Sequence, residues 1–150
     1  MTPKKIHAYR ALLRKAKVDE LRAGAALAKA VSEVTARQRD VDAVEAARMA
    51  IADANEHCVA RGKSLDLARY ELLTLLDASL SKQWTTATRE RNAATDRRME
   101  RAHENVLAKR YRERVDENQT LLRTQYENER AAKMREDAIE VWLESKGEGA

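Results

Sequence analysis

Phenylalanine is absent from this chain, and aromatic residues of all kinds make up 4% of its 150 positions. Aromatic side chains carry much of the buried area of an ordinary core, so their scarcity argues against a compact globule. Cys58 is the single cysteine, which excludes an intramolecular disulfide and a cysteine-based metal cluster. The single proline is Pro3, and between Thr2 and Gly147 only Gly24 and Gly62 interrupt helix-compatible residues. Valine and isoleucine are sparse, which leaves little material for strands. No run of roughly 18 apolar residues occurs, so membrane insertion is not expected. The opening MTPKKIHAYR lacks the apolar core and cleavage site of a secretory signal. A cytosolic protein is expected, although one exported without a cleaved signal would read the same way.

Charge and alanine fill the space that these residues leave. Charged side chains make up 36% of the chain, with a net charge of +4 and a pI near 9.3. A mixture of Ala, Glu, Lys, Leu and Arg with few breakers is the composition of long helices and coiled coils. Thr2-Pro3 supplies an N-cap and a first-turn proline. From there a seven-residue spacing links Ile6, Leu13, Leu27, Val34 and Val41, with Glu20 as the polar exception. A companion row runs through Tyr9, Ala16, Ala23, Ala30, Arg37, Val44, Ile51 and Cys58, and the same spacing reaches Leu65 and Leu72. Sustained so far, this is a coiled-coil seam, and its alanines suit a partner helix packed close.

Two stretches carry stop signals. In Arg61-Gly62-Lys63-Ser64, the glycine can take a left-handed C′ conformation and the serine can cap a new turn of helix. Asp77-Ala78-Ser79-Leu80-Ser81 is a second polar cluster with two candidate caps. The expectation is therefore helix 1 over 3–61, a bend region with a short helix or kink over 62–81, helix 2 over 82–145, and a frayed tail over 146–150. The seam of helix 2 is weaker. Trp84, Met99, Ala102 and Val106 give one phase; Ala108, Tyr111, Val115 and Leu122 give another, continued by Ala132, Ile139 and Leu143. A slip between Val106 and Tyr111 is expected, with Asn118, Gln125, Glu129 and Glu136 loosening the pairing.

Charge layout decides between a hairpin and a parallel multimer. Residues 1–30 hold eight Lys/Arg and two Asp/Glu, a net of +6; residues 115–150 hold five and nine, a net of −4. A hairpin sets these segments side by side, whereas a parallel dimer sets like against like. The expected fold is all-α: an elongated antiparallel two-helix coiled-coil hairpin forming one domain, with Ile6 and Tyr9 beside Ile139 and Trp142.

Little in the chain promises catalysis. Gly62-Lys63-Ser64 resembles the end of a phosphate-binding loop, but His57 stands where the motif needs its first glycine, and no strand precedes it. Arg89 to Arg98 resembles a basic-zipper reading helix, yet Thr95 and Asp96 occupy its two small-residue positions and no leucine heptad comes after it; direct DNA binding is not expected. His7, His57 and His103 lack ligand partners at helical spacing, and a two-helix hairpin offers carboxylate pairs no pocket. Neither a cofactor nor enzymatic activity is expected.

The conspicuous apolar feature is RYELLTLLDASL, Arg69 to Leu80, where five of the nine residues from Leu72 onward are leucine. Leu72, Leu73, Leu75 and Leu76 spread around most of a helix circumference, so two helices cannot bury all four. Either they close the hairpin end or part of the cluster is an exposed patch for a partner. Leu72 continues the helix 1 seam and is expected in the core, leaving Leu73, Leu76 and Leu80, with Trp84 alongside, as the partner-binding share.

IHAYRALLRKAKVDELRA near the start and NERAAKMREDAIEVWL near the end together resemble the central stalk proteins of type III secretion ATPases, the FliJ/YscO-like family. The first stretch carries Arg10, Arg14, Lys17 and Arg22 at helical spacing; the second is a mixed-charge helix with Glu136-Asp137 before an apolar finish. The likeness in length and layout covers the whole chain, and Gly24 and the polar helix 2 seam depart from it. It implies a fold similar to the coiled coil of a rotary ATPase γ subunit, and a location in the cytoplasm beside the inner-membrane export apparatus. The end carrying both termini would enter the ATPase hexamer through Arg10, Arg14 and Lys17. The bend end would face the export gate membrane protein, and export chaperones are further partners of such stalks. The opening helix inclines towards a virulence-type rather than a flagellar machine. Two other classes fit the composition: a basic RNA- or ribosome-associated coiled coil, and a purely structural spacer. Interspersed acids and scarce aromatics weigh against the former.

Overall fold

A computed structural model describes residues 3–59 and 66–148. Two helices account for them, α1 over Pro3–Val59 and α2 over Leu67–Glu148. They pack against each other antiparallel as a two-helix hairpin, with no strand among the described residues. Packing divides the chain into two compact units, one formed by Met1–Ala23 with Asn105–Ala150 and the other by Gly24–Glu104.

The start of α2 differs from expectation. Asp66 is its N-cap: the Arg69 backbone N–H donates to Asp66 Oδ1 at 3.3 Å, and the Tyr70 N–H donates to the Asp66 carbonyl at 3.0 Å. An aspartate in this position satisfies an otherwise unpaired amide and complements the helix dipole. Residues 67–81, expected to form part of a bend region, are instead the opening turns of a continuous helix. Asp77 and Ser79 point to solvent, where they do not compete for the backbone. The stop signal at Arg61 to Ser64 lies outside the described residues.

In the Gly24–Glu104 unit, the antiparallel register is marked by Glu33 with Arg97, Arg37 with Glu90, Gln38 with Arg91, and Glu45 with Trp84. The buried residues are Ala30, Val41, Leu73, Ala87 and Ala94. Three of these five are alanine, and a small side chain lets two helix backbones approach closely. No polar or charged residue is fully buried among the described residues.

In the other unit, Glu20 pairs with Arg112, and Ile6 and Arg10 lie beside Arg123 and Tyr126. Ala16 and Val115 are its buried residues. Ile6 therefore does not meet Ile139 or Trp142. Because α2 begins at Leu67, the partner of each α1 residue lies earlier in α2 than a bend centred in the leucine cluster would give.

The α1 seam appears as its periodicity predicts. Ile6, Tyr9, Leu13, Ala16, Glu20, Ala23, Leu27, Ala30, Val34, Arg37, Val41, Val44, Ile51 and Cys58 are all buried or half-buried. Leu72 does not continue that seam: it belongs to α2 and is exposed. The α2 seam is corrected more widely. Its inward rows include Leu73, Leu80, Trp84, Ala87, Arg91 and Ala94 in one unit, and Asn105, Ala108, Arg112, Val115, Gln119, Leu122 and Tyr126 in the other, while Ser81, Thr88, Thr95, Asp116 and the expected Ala102 are half-buried in an adjacent column. Both sets fall in one heptad register, so no slip separates them. Met99, Val106, Tyr111, Ile139 and Leu143 are exposed instead, as are Asn118, Gln125 and Glu136. Arginines can occupy inward positions because their methylene stems cover apolar surface while their charged heads reach water or a carboxylate.

Candidate partner-binding surfaces

Arg10, Arg14 and Lys17 are exposed along one side of α1, as three- and four-residue spacing dictates. Beside them the two helices form a shallow groove of about 270 Å³, lined by Pro3, Ile6, His7, Arg10, Arg123, Tyr126, Glu127 and Arg130. Three guanidinium groups against one carboxylate make the groove basic, and that carboxylate, Glu127, already faces Arg123 at 3.7 Å. Ile6 and Tyr126 give it an apolar floor. Arg123 and Arg130 were invisible to sequence reasoning, because they lie in the chain's net-acidic final segment. Only the antiparallel register brings them to Arg10. A groove of this kind suits an acidic peptide or loop with a few apolar contacts.

Deeper in the same unit, the Arg112 guanidinium donates twice to the Glu20 carboxylate, at 2.7 and 3.4 Å. Those hydrogen bonds hold the Glu20 carboxyl below its ordinary value, against the opposing effect of partial burial; the charges of Arg112 and Lys109 add to the lowering. Reciprocally, the hydrogen bond from Glu20 raises Arg112. The forked geometry fixes how far the helices can slide past each other, so the pair acts as a register pin in a seam poor in large apolar side chains.

The leucine cluster divides differently from the sequence-based assignment. Leu73 is 8% exposed, whereas Leu72, Leu75 and Leu76 are 57%, 69% and 41% exposed. Leu80 and Trp84 are half-buried on the inward row. Of the four residues assigned to a partner, only Leu76 is exposed; Leu73, Leu80 and Trp84 are buried or half-buried on the inward row. The inward row runs Leu73, Leu80, Trp84, Ala87, and Leu72 points away from it by about 100°. The exposed share is Leu67, Tyr70, Leu72, Leu75 and Leu76, with an open depression bordered by Tyr70, Glu71, Thr74 and Leu75.

Trp84 is tied down. Its indole N–H donates to Glu45 Oε1 at 3.1 Å, and the Arg48 guanidinium lies 5.7 Å from the ring centroid. With Met49, Ala52 and Asp77 these residues border an open cleft of about 440 Å³. Among the described residues, no group of three or more His, Cys, Asp or Glu is placed to hold a metal ion, and no helix is long and apolar enough to cross a membrane. These surfaces present charge and exposed apolar area. No protein-family model, curated protein or solved structure matches the chain.

Proposed function

We propose that this chain is a non-enzymatic central-stalk protein of a type III secretion apparatus, of the FliJ/YscO-like kind. In this role its terminal unit inserts into the export ATPase hexamer and couples the hexamer to the export gate. The observation that carries this reading is the antiparallel helix pair that leaves Arg10, Arg14 and Lys17 in one unit and Leu67, Tyr70, Leu72, Leu75 and Leu76 in the other exposed. Arg10, Arg14 and Lys17, joined by the Arg123 and Arg130 side of the groove, supply a surface for acidic loops of the ATPase. Leu67, Tyr70, Leu72, Leu75 and Leu76 supply the apolar surface for the gate, in place of Leu73, Leu80 and Trp84. Handling of export chaperones and a virulence-type machine come with the same resemblance. The protein works beside the inner membrane, on its cytoplasmic side.

The test is co-sedimentation of the purified chain with a type III export ATPase, run in parallel with structured and single-stranded RNA. Binding to the hexamer, weakened by salt as expected of a charged contact, supports a stalk. Binding to RNA alone assigns the chain to the nucleic-acid class. Binding to neither leaves a structural spacer.

A further inference from the structure

The part of the Gly24–Glu104 unit that holds the Trp84 cleft is acidic, in a chain whose net charge is +4. Residues 40–56 and 71–86 together carry seven Asp/Glu and two Lys/Arg, a net of −5. On α1 these acids fall into a pattern. Asp42, Glu45, Met49, Ala52 and Glu56 recur at three- and four-residue spacing, so they share one face of the helix, and all five are exposed. Carboxylates stand at both ends of this row and apolar side chains in its middle. From α2, Asp77 and Trp84 complete the border of the cleft of about 440 Å³.

The charges of the cleft are not neutralised from within. Asp42 accepts a hydrogen bond from Gln38 Nε2 at 2.9 Å, and Glu45 accepts the Trp84 indole N–H at 3.1 Å, both from uncharged donors. Neither they nor Asp77 forms an ion pair with another described residue. Among the described residues, Arg48 is the one cation lining the cleft, and its guanidinium is engaged over the Trp84 ring. That contact shows the ring accepting a cation. Met49, 68% exposed, gives the cleft an open apolar wall.

We propose that this cleft is a docking site for a basic amphipathic segment of another protein, one carrying Lys or Arg about a turn to either side of a large apolar side chain. The apolar side chain sits against Met49, Ala52 and the exposed part of Trp84. The flanking cations reach Glu45 and Asp77, and Asp42 and Glu56 extend the attraction along the row. Carboxylates held only by neutral donors can take a charge-assisted hydrogen bond from a cation without giving up an existing ion pair. An acidic segment is repelled by the same groups. The site shares no residue with the basic groove or with the exposed leucines, so it stands whether or not the chain is a secretion stalk.

Trp84 reports on the site in a full chain carrying Trp142→Tyr, where it is the only tryptophan. The probe is a synthetic helical peptide of Ala, Leu and Lys, with lysines a turn to either side of a central leucine pair; its counterpart has Glu for every Lys. Titrating the basic peptide should shift Trp84 emission to a plateau, and added salt should weaken the binding. The acidic peptide should leave the emission unchanged. Asp42→Asn with Asp77→Asn should weaken binding by roughly tenfold or more, as expected when contacts to charged groups are lost. Far-UV circular dichroism should not change, since both positions are exposed. Glu100→Gln with Glu117→Gln removes the same charge from exposed positions outside the cleft and should bind as the parent does. Met49→Ser should weaken binding while its salt dependence persists. A flat emission, equal binding of the acidic peptide, equal weakening by the two double variants, or indifference to Met49→Ser would each overturn the site. Trp84 emission that varies with the chain's own concentration in the absence of peptide, and no longer does so after Asp42→Asn with Asp77→Asn, would overturn the separate partner in favour of a second copy.

Discussion

Replacing Leu73 with alanine should destabilise the hairpin far more than the same change at its neighbour Leu72. Leu73 is 8% exposed in the inward row of α2, and Leu72 is 57% exposed. Truncating a well-buried leucine costs about 2–5 kcal/mol through lost transfer energy and the cavity left behind. Two packed helices enclose a side chain less completely than a globular core, so the lower part of that range, about 2–3 kcal/mol, applies here. For a chain of this size each kcal/mol shifts the melting midpoint by roughly 2–4 °C, giving a drop of about 5–10 °C. Leu72→Ala removes little buried area and keeps a strong helix former, so its effect should stay within about 0.5 kcal/mol. Thermal unfolding monitored at 222 nm resolves the two outcomes. A large loss at Leu72 with little at Leu73 would refute the rotational setting of α2 and return the leucine cluster to the arrangement that simple seam continuation suggests.

Spin labels at His7 and Glu127, which border one groove, should lie within about 10–15 Å, on the scale of adjacent packed helices. Moving the second label to Ala138 should add most of about 16 Å of helix rise; equal or shorter distances would contradict the register. Glu20→Gln should flatten part of the acid limb of stability. The folded-state carboxyl is held below 4.5, so its contribution is full above that value and fades as pH falls through the lowered one. Chemical denaturation at a series of pH values should show wild type and variant converging in acid. Changing Leu72, Leu75 and Leu76 together to serine should leave the melting midpoint within a few degrees, because all three are exposed, and on the stalk proposal it should abolish binding to the export gate. A collapsed midpoint would assign these leucines to the fold instead.

The two helices differ in how much the sequence revealed. In α1 most inward positions are filled by Ile, Leu, Val and Ala, so apolar spacing traces the row, with Glu20, Arg37, Arg48 and Asn55 as polar interruptions. In α2 the inward row includes Arg91, Asn105, Arg112 and Gln119, while Met99, Val106, Tyr111 and Ile139 lie outside. Tracing apolar residues there leads off the seam and creates an apparent slip. The missing information is pairwise: Arg112 turns inward because Glu20 faces it, and nothing in α2 by itself announces that. The opposed charges of the two terminal segments point to an antiparallel arrangement, but totals over thirty residues carry no register. Asp66 as cap is legible in principle, being an aspartate just before a leucine-rich helical run. The stronger-looking Gly62-Lys63-Ser64 signal overshadows it.

ATP hydrolysis by a type III export ATPase, measured while the chain is titrated in, tests the stalk role most directly. Wild type should raise the rate to a plateau. The triple change Arg10→Glu, Arg14→Glu and Lys17→Glu should weaken the response at least tenfold and remove most of its salt dependence, as expected when a steering charge is reversed. A hydrolysis rate unchanged by wild-type chain, in a mixture where the two proteins also fail to co-sediment, would contradict the stalk role outright.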